Sequence, residues 1–217
     1  MINRTGFALL ALGALLFSAL LYSAITYQIL GWPADTDVDP AVNPQFLVAL
    51  YTVVFGLPYA IYELTRRTNI LKLLFLLVLI PAIHLGAIYA FMWWTAEGQA
   101  LAPAVDEMGN EIAGSFFSPA LLGGMLSGFA GAALSFALIL LLRLRAERAG
   151  LLVFLAGLLL LTVWGGIGFN MIGEPEAKGV VLKLFLPWQL IYAFFLSASL
   201  KPSPARGAVS TTDATGD

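Results

Sequence analysis

At 217 residues, with 60% apolar residues, only 11% charged residues and a mean hydropathy of +0.89, the chain lies far outside the balance of a soluble globular protein. Its formal net charge of −2 predicts no nucleic-acid partner, and the absence of cysteine removes disulfides, thiolate metal sites and a cysteine nucleophile. Such a chain needs a bilayer around it.

Crossing the hydrocarbon core takes about 20 mostly apolar residues, because a helix rises roughly 1.5 Å per residue. Six stretches qualify: Phe7 to Gly31, Phe46 to Tyr62, Ile70 to Trp94, Phe116 to Leu142, Leu151 to Ile172 and Val180 to Leu200. Helices are expected, since backbone amides in lipid must be satisfied within the segment and the runs are too long for barrel strands. The predicted fold is therefore all-α, a polytopic transmembrane bundle of six helices. Residues 1–200 form the membrane domain, and residues 201–217, rich in Ser, Thr, Ala, Gly and Pro, form a disordered cytoplasmic tail.

The loops orient the bundle. Nine of the eleven Lys and Arg residues (Arg4, Arg66, Arg67, Lys72, Arg143, Arg145, Arg148, Lys201, Arg206) fall on one side of the six spans, and nine of the thirteen acids fall on the other. The excess of basic residues marks the cytoplasmic face, so both termini are expected inside, in a plasma membrane of bacterial inner-membrane type. The first apolar run also resembles a secretory signal. It is long for a signal core and lacks a small-x-small cleavage site, which favours an uncleaved first helix.

On the first span, Ser18, Tyr22 and Thr26 recur every four residues and predict a polar stripe facing protein. On the second, Tyr51, Phe55, Tyr59 and Tyr62 form an aromatic stripe, with Tyr59 and Tyr62 expected in the headgroup region because this span is short. Glu63 precedes Arg66 and Arg67 by three and four residues, the spacing of a solvated surface ion pair.

The third span holds His84, the sole histidine. It sits roughly 21 Å from the cytoplasmic start of its helix at ~1.5 Å per residue, three positions after Pro81. Pro81 cannot donate to the Leu77 carbonyl and predicts a kink. Beyond this span, the loop from Thr95 to Ser115 has short apolar flanks around Gly109 and Asn110, a pattern for a small extracytoplasmic β-hairpin between the third and fourth helices.

The fourth span carries Gly124, Ser127, Gly128, Gly131 and Ser135, a small-residue face for close packing within the bundle or between protomers. In the last span Gln189 and Tyr192 share a helix face just after Pro187. With His84, Tyr89 and Asn170 they define a candidate pocket toward the outer side, where Gln28, Trp93 and Lys183 also fall. The competing reading makes these groups interhelical hydrogen bonds and an interfacial aromatic belt.

No phosphate loop, dinucleotide fingerprint, histidine pair or nucleophile elbow is present, and no catalytic or metal-ligating residue is assigned. The sequence names no cofactor. The expected function is that of a multi-pass integral membrane protein without catalytic machinery, acting as a subunit of a membrane assembly, of itself or of other subunits, or binding lipid or small apolar molecules. A small carrier with an outward polar pocket around His84 is one alternative. An embedded enzyme or haem protein using His84, with Met92, Met125 or Met171 as a second ligand, is another.

Overall fold

The computed structural model describes residues 3–26, 51–66, 69–98, 119–147, 151–170, 179 and 181–202. Helix α1 covers Arg4–Thr26 and α2 covers Val53–Leu64. Helix α3 runs through Ile70–Leu74, a π turn at Phe75–Leu79, and Ile80–Gly98. Helices α4 and α5 are Pro119–Leu141 and Leu151–Asn170, and α6 joins a π turn at Val181–Phe185 to Leu186–Ser199.

Five of these helices are long and apolar enough to cross a membrane, and α2 is a shorter apolar helix. The exterior supports the same conclusion. Leu12, Leu16, Leu152, Leu159 and Leu160 are exposed, while Glu63, Lys72, His84, Ser135 and Gln189 are buried. Polar inside and apolar outside is the arrangement that lipid as solvent demands.

The starts of two helices are set by asparagines. Asn3 Oδ1 accepts from the Gly6 amide at 3.0 Å, and Asn69 Oδ1 accepts from the Leu71 amide at 2.9 Å. Both bonds satisfy amides that a first helical turn leaves without partners. Helix α4 ends with Arg143 at φ 54°, the Leu144 amide reaching the Ile139 carbonyl at 2.9 Å and the Arg143 amide reaching Leu140 at 3.1 Å. That is a Schellman end with arginine where glycine is usual.

The two π turns share a cause. Each ends two residues before a proline, Pro81 in α3 and Pro187 in α6. A proline inside a helix lacks the amide for the i−4 carbonyl and its ring crowds that carbonyl, and a wider turn just upstream relieves both. The strain expected at Pro81 thus takes the form of a π turn on its N-terminal side.

Each helix packs on its neighbour in chain order, and α6 returns to α1, closing a ring. Helix α6 is the most buried of the five long helices. The centre is filled by Phe55, Phe75, Ile80, Phe136, Tyr192 and Leu196.

One end of the ring is tied together. The Ala146 amide donates to the Ser199 carbonyl at 2.7 Å and the Lys201 amide donates to Leu144 at 2.8 Å, pairing the turn after α4 with the end of α6. Lys72 Nζ donates to the Lys201 carbonyl at 2.8 Å. The end of α2, the start of α3 and the ends of α4 and α6 therefore meet at one end of the bundle.

Several expectations need correction. Tyr22 and Thr26 lie on the exposed side of α1, because Thr26 Oγ1 donates to the Tyr22 carbonyl at 2.8 Å and so needs no partner on another helix. Tyr59 is only 1% exposed, covered by its neighbours beside Lys72 at the tied end. Residues 95–98 continue α3, since no breaker precedes Gly98. The rest of the expected hairpin, residues 203–217 of the tail, and the start of the second span lie outside the described residues. Among the described residues there is no strand, only the single Arg145–Leu200 bridge.

Candidate functional site

His84 is 5% exposed and central, brought to the bundle axis by α3. Its ring meets Trp188 at 5.2 Å and Tyr192 at 5.9 Å, both edge-on, and Phe55 of α2 at 6.3 Å. Phe55 in turn stacks on Tyr192 at 5.7 Å. Nδ1 lies 2.9 Å from the Ile80 carbonyl, so Nδ1 carries a proton and donates it, because a carbonyl only accepts. Nε2 is buried with no hydrogen-bond partner among the described residues.

Tyr192 is fully committed. Its hydroxyl lies 2.5 Å from Ser135 Oγ, and Ser135 Oγ donates to the Gly131 carbonyl at 2.6 Å. A hydroxyl has one proton, so Tyr192 must be the donor in the first bond. The Tyr192 proton is therefore unavailable to His84.

The expected pocket is only partly assembled. His84 and Tyr192 meet, and Gln189 is wholly buried beside them in sequence with both amide atoms unpartnered among the described residues. Tyr89 is 49% exposed, because five residues at ~100° each carry it away from the face of His84. Trp93 and Lys183 also lie outward. Gln28 and the side chain of Asn170 lie outside the described residues. A cavity of about 50 Å³ does adjoin His84, lined by Ser127 and Gly128 of α4, Gly165 and Phe169 of α5 and Trp188 of α6, with neither Gln189 nor Tyr192 among its walls. No methionine lines it either.

The small-residue face of α4 is used within the chain. A Cβ on Gly124 would strike the Gly165 carbonyl, and one on Gly128 would strike the Leu161 carbonyl, so α4 and α5 approach backbone to backbone. Gly131 turns toward Trp188 and Ala87, Ser127 toward the cavity and Ser135 toward Tyr192. The same device, unrecognised in the sequence, joins α1 to α2 at Gly13 against the Phe55 carbonyl and α2 to α3 at Gly56 against Leu76.

Glu63 has an ionic partner that its local spacing does not suggest, while Arg67 lies outside the described residues. Glu63 Oε1 receives Lys72 Nζ at 2.9 Å, with side chains 1% and 4% exposed. Arg66 instead lies over the Tyr62 ring at 4.6 Å. Lys72, which counts in sequence as a loop charge, also sits 5.2 Å from the centre of the Tyr59 ring. Burial makes an ionic partner worth far more than at the surface, and α2 and α3 meet where Glu63 and Lys72 face each other.

A second recess is much larger. Above α6, between α5 and the start of α1, lies an open groove of about 1070 Å³. Its walls are apolar: Leu152, Val153, Ala156 and Leu160 of α5 and Phe194, Phe195 and Ala198 of α6. Phe194 is held edge-on by Phe7 of α1 at 6.1 Å. Asn3, Glu147, Ser197 and Lys201 supply its polar groups, with Asn3, Glu147 and Lys201 toward the tied end of the bundle. The signal for it in the sequence is faint: the small residues Ala156 and Ala198 among larger apolar neighbours.

Among the described residues no cluster of three or more His, Asp or Glu side chains gathers to hold a metal. The chain matches no known family, and neither the curated proteins nor the solved structures include a match to it.

Proposed function

We propose that this multi-pass membrane protein binds a bilayer phospholipid in the groove between α5, α6 and the start of α1. The carrying observation is the groove itself, which at about 1070 Å³ stands at the upper end of the ~300–1,000 Å³ usual for small-molecule sites. Its apolar walls suit acyl chains, which surround any such protein in a membrane. Asn3, Glu147 and Lys201 at one end offer an amide, a carboxylate and an ammonium to a zwitterionic or anionic headgroup.

In this reading six helices cross the membrane, α2 being the short one, and the tied end with Lys72, Arg145 and Lys201 faces the cytoplasm of a bacterial cell. The bias of basic residues supports that orientation. A role as an assembly subunit draws less support, because Gly124 and Gly128 already meet α5 within the chain. Native mass spectrometry of protein released from mild detergent tests the proposal. Wild type is expected to retain one phospholipid, and Ala156→Trp, which fills the groove, to lose it at unchanged fold. Equal retention by the two proteins contradicts it.

A further inference from the structure

We propose that the cavity beside His84 is an internal hydration site, in which water donates a hydrogen bond to His84 Nε2 and is shared with Ser127. The Nδ1 proton is spent on the Ile80 carbonyl, which leaves Nε2 as an acceptor at 5% residue exposure without a partner among the described residues. A buried acceptor left unpaired is unfavourable, so a donor belongs there. Tyr192, whose ring meets His84, cannot supply it, because the Tyr192 proton goes to Ser135 and the Ser135 proton goes to Gly131.

The cavity supplies the space and a second polar contact. At about 50 Å³ it has room for a few waters, a single one needing only ~10–15 Å³ by the same measure, and it is far smaller than the lipid groove. Among its lining residues only His84, Ser127 and Trp188 carry polar side-chain atoms. A dry cavity is stable when it is wholly apolar, and this one is not. Gly128 and Gly165 contribute only backbone to its wall, because a Cβ on either would point at the backbone of the facing helix. The site is separate from the lipid groove, with which it shares no lining residue.

The chain has one histidine, so every imidazole signal reports this site. Protein labelled with 15N-histidine and reconstituted in phosphatidylethanolamine–phosphatidylglycerol vesicles is examined by water-edited solid-state NMR. The expected result is a protonated Nδ1, an unprotonated Nε2, and transfer of water magnetisation to the ring several-fold faster than to the His84 backbone nitrogen. Ser127→Val should slow that transfer several-fold while leaving the Nδ1 proton in place. A protonated Nε2, or transfer to the wild-type ring no faster than to the His84 backbone nitrogen, overturns the proposal.

Discussion

Lys72 and Glu63 form an ion pair of 2.9 Å inside the protein, although they are nine residues apart and each borders an apolar helix. Lys72 also donates to the Lys201 carbonyl at 2.8 Å, so a single ammonium joins α2, α3 and the end of α6. Two charges removed from solvent attract strongly, but each becomes a liability when the other is lost. The tied end of the bundle depends on both.

Glu63→Leu is accordingly expected to destabilise the protein by about 3–5 kcal/mol, since it strands a buried ammonium. The double variant Glu63→Leu/Lys72→Met should recover most of that loss, because it removes both charges. Thermal unfolding in detergent, read as a double-mutant cycle, measures the coupling. Additive losses contradict the buried pair.

The bond between Tyr192 and Ser135 predicts unequal effects from its two ends. Tyr192→Phe removes a donor and leaves Ser135 bonded to Gly131, a loss of about 0.6 kcal/mol for a hydrogen bond between helices in a membrane. Ser135→Ala strands the buried Tyr192 hydroxyl and should lose about 1–3 kcal/mol. Melting temperatures of the two variants in one detergent provide the comparison. A larger loss for Tyr192→Phe contradicts the proton order.

Glycine positions on α4 separate in the same way. Gly128→Ala presses a methyl into the Leu161 backbone, which cannot move aside, with an expected loss of about 1–3 kcal/mol. At Gly131 the nearest atom is Trp188 Cζ2 at 3.3 Å, a ring edge that can shift, and alanine gains up to ~1 kcal/mol in helix propensity. Gly131→Ala should therefore melt close to wild type. Equal effects at the two sites count against backbone contact at Gly128.

Hydrophobic length made the five long helices legible, and the uniform apolar faces of α4 and α5 needed no tertiary information. Local spacing misled where a partner came from another helix. Arg66 and Arg67 at three and four residues hid the pairing of Glu63 with Lys72, which depends on how α2 turns into α3. The stripe of Ser18, Tyr22 and Thr26 assumed that polar groups in lipid seek other helices, whereas Thr26 is satisfied within its own. The rings of His84 and Tyr192 meet, as their similar depth in the sequence suggests, whereas the angle around the axis turns Tyr89 outward. The groove stayed invisible because leucines and phenylalanines lining a recess look the same in sequence as those facing lipid.

Orientation can be read with single cysteines, since the chain has none of its own. Asp106→Cys should react with a membrane-impermeant maleimide added to intact cells. Thr65→Cys, beside the tied end of the bundle, should react only after the membrane is opened. The reverse pattern inverts the proposed topology.

Photocrosslinking maps the lipid site most directly. A phospholipid carrying a photoactivatable group in its acyl chain is incorporated into vesicles with the protein, and crosslinked residues are identified by peptide mass spectrometry. Adducts concentrated at Val153, Leu160, Phe194 and Phe195, and removed by Ala156→Trp, are the predicted result. Adducts spread evenly over the exposed leucines of α1 and α5, with no change on filling the groove, would contradict a specific phospholipid site.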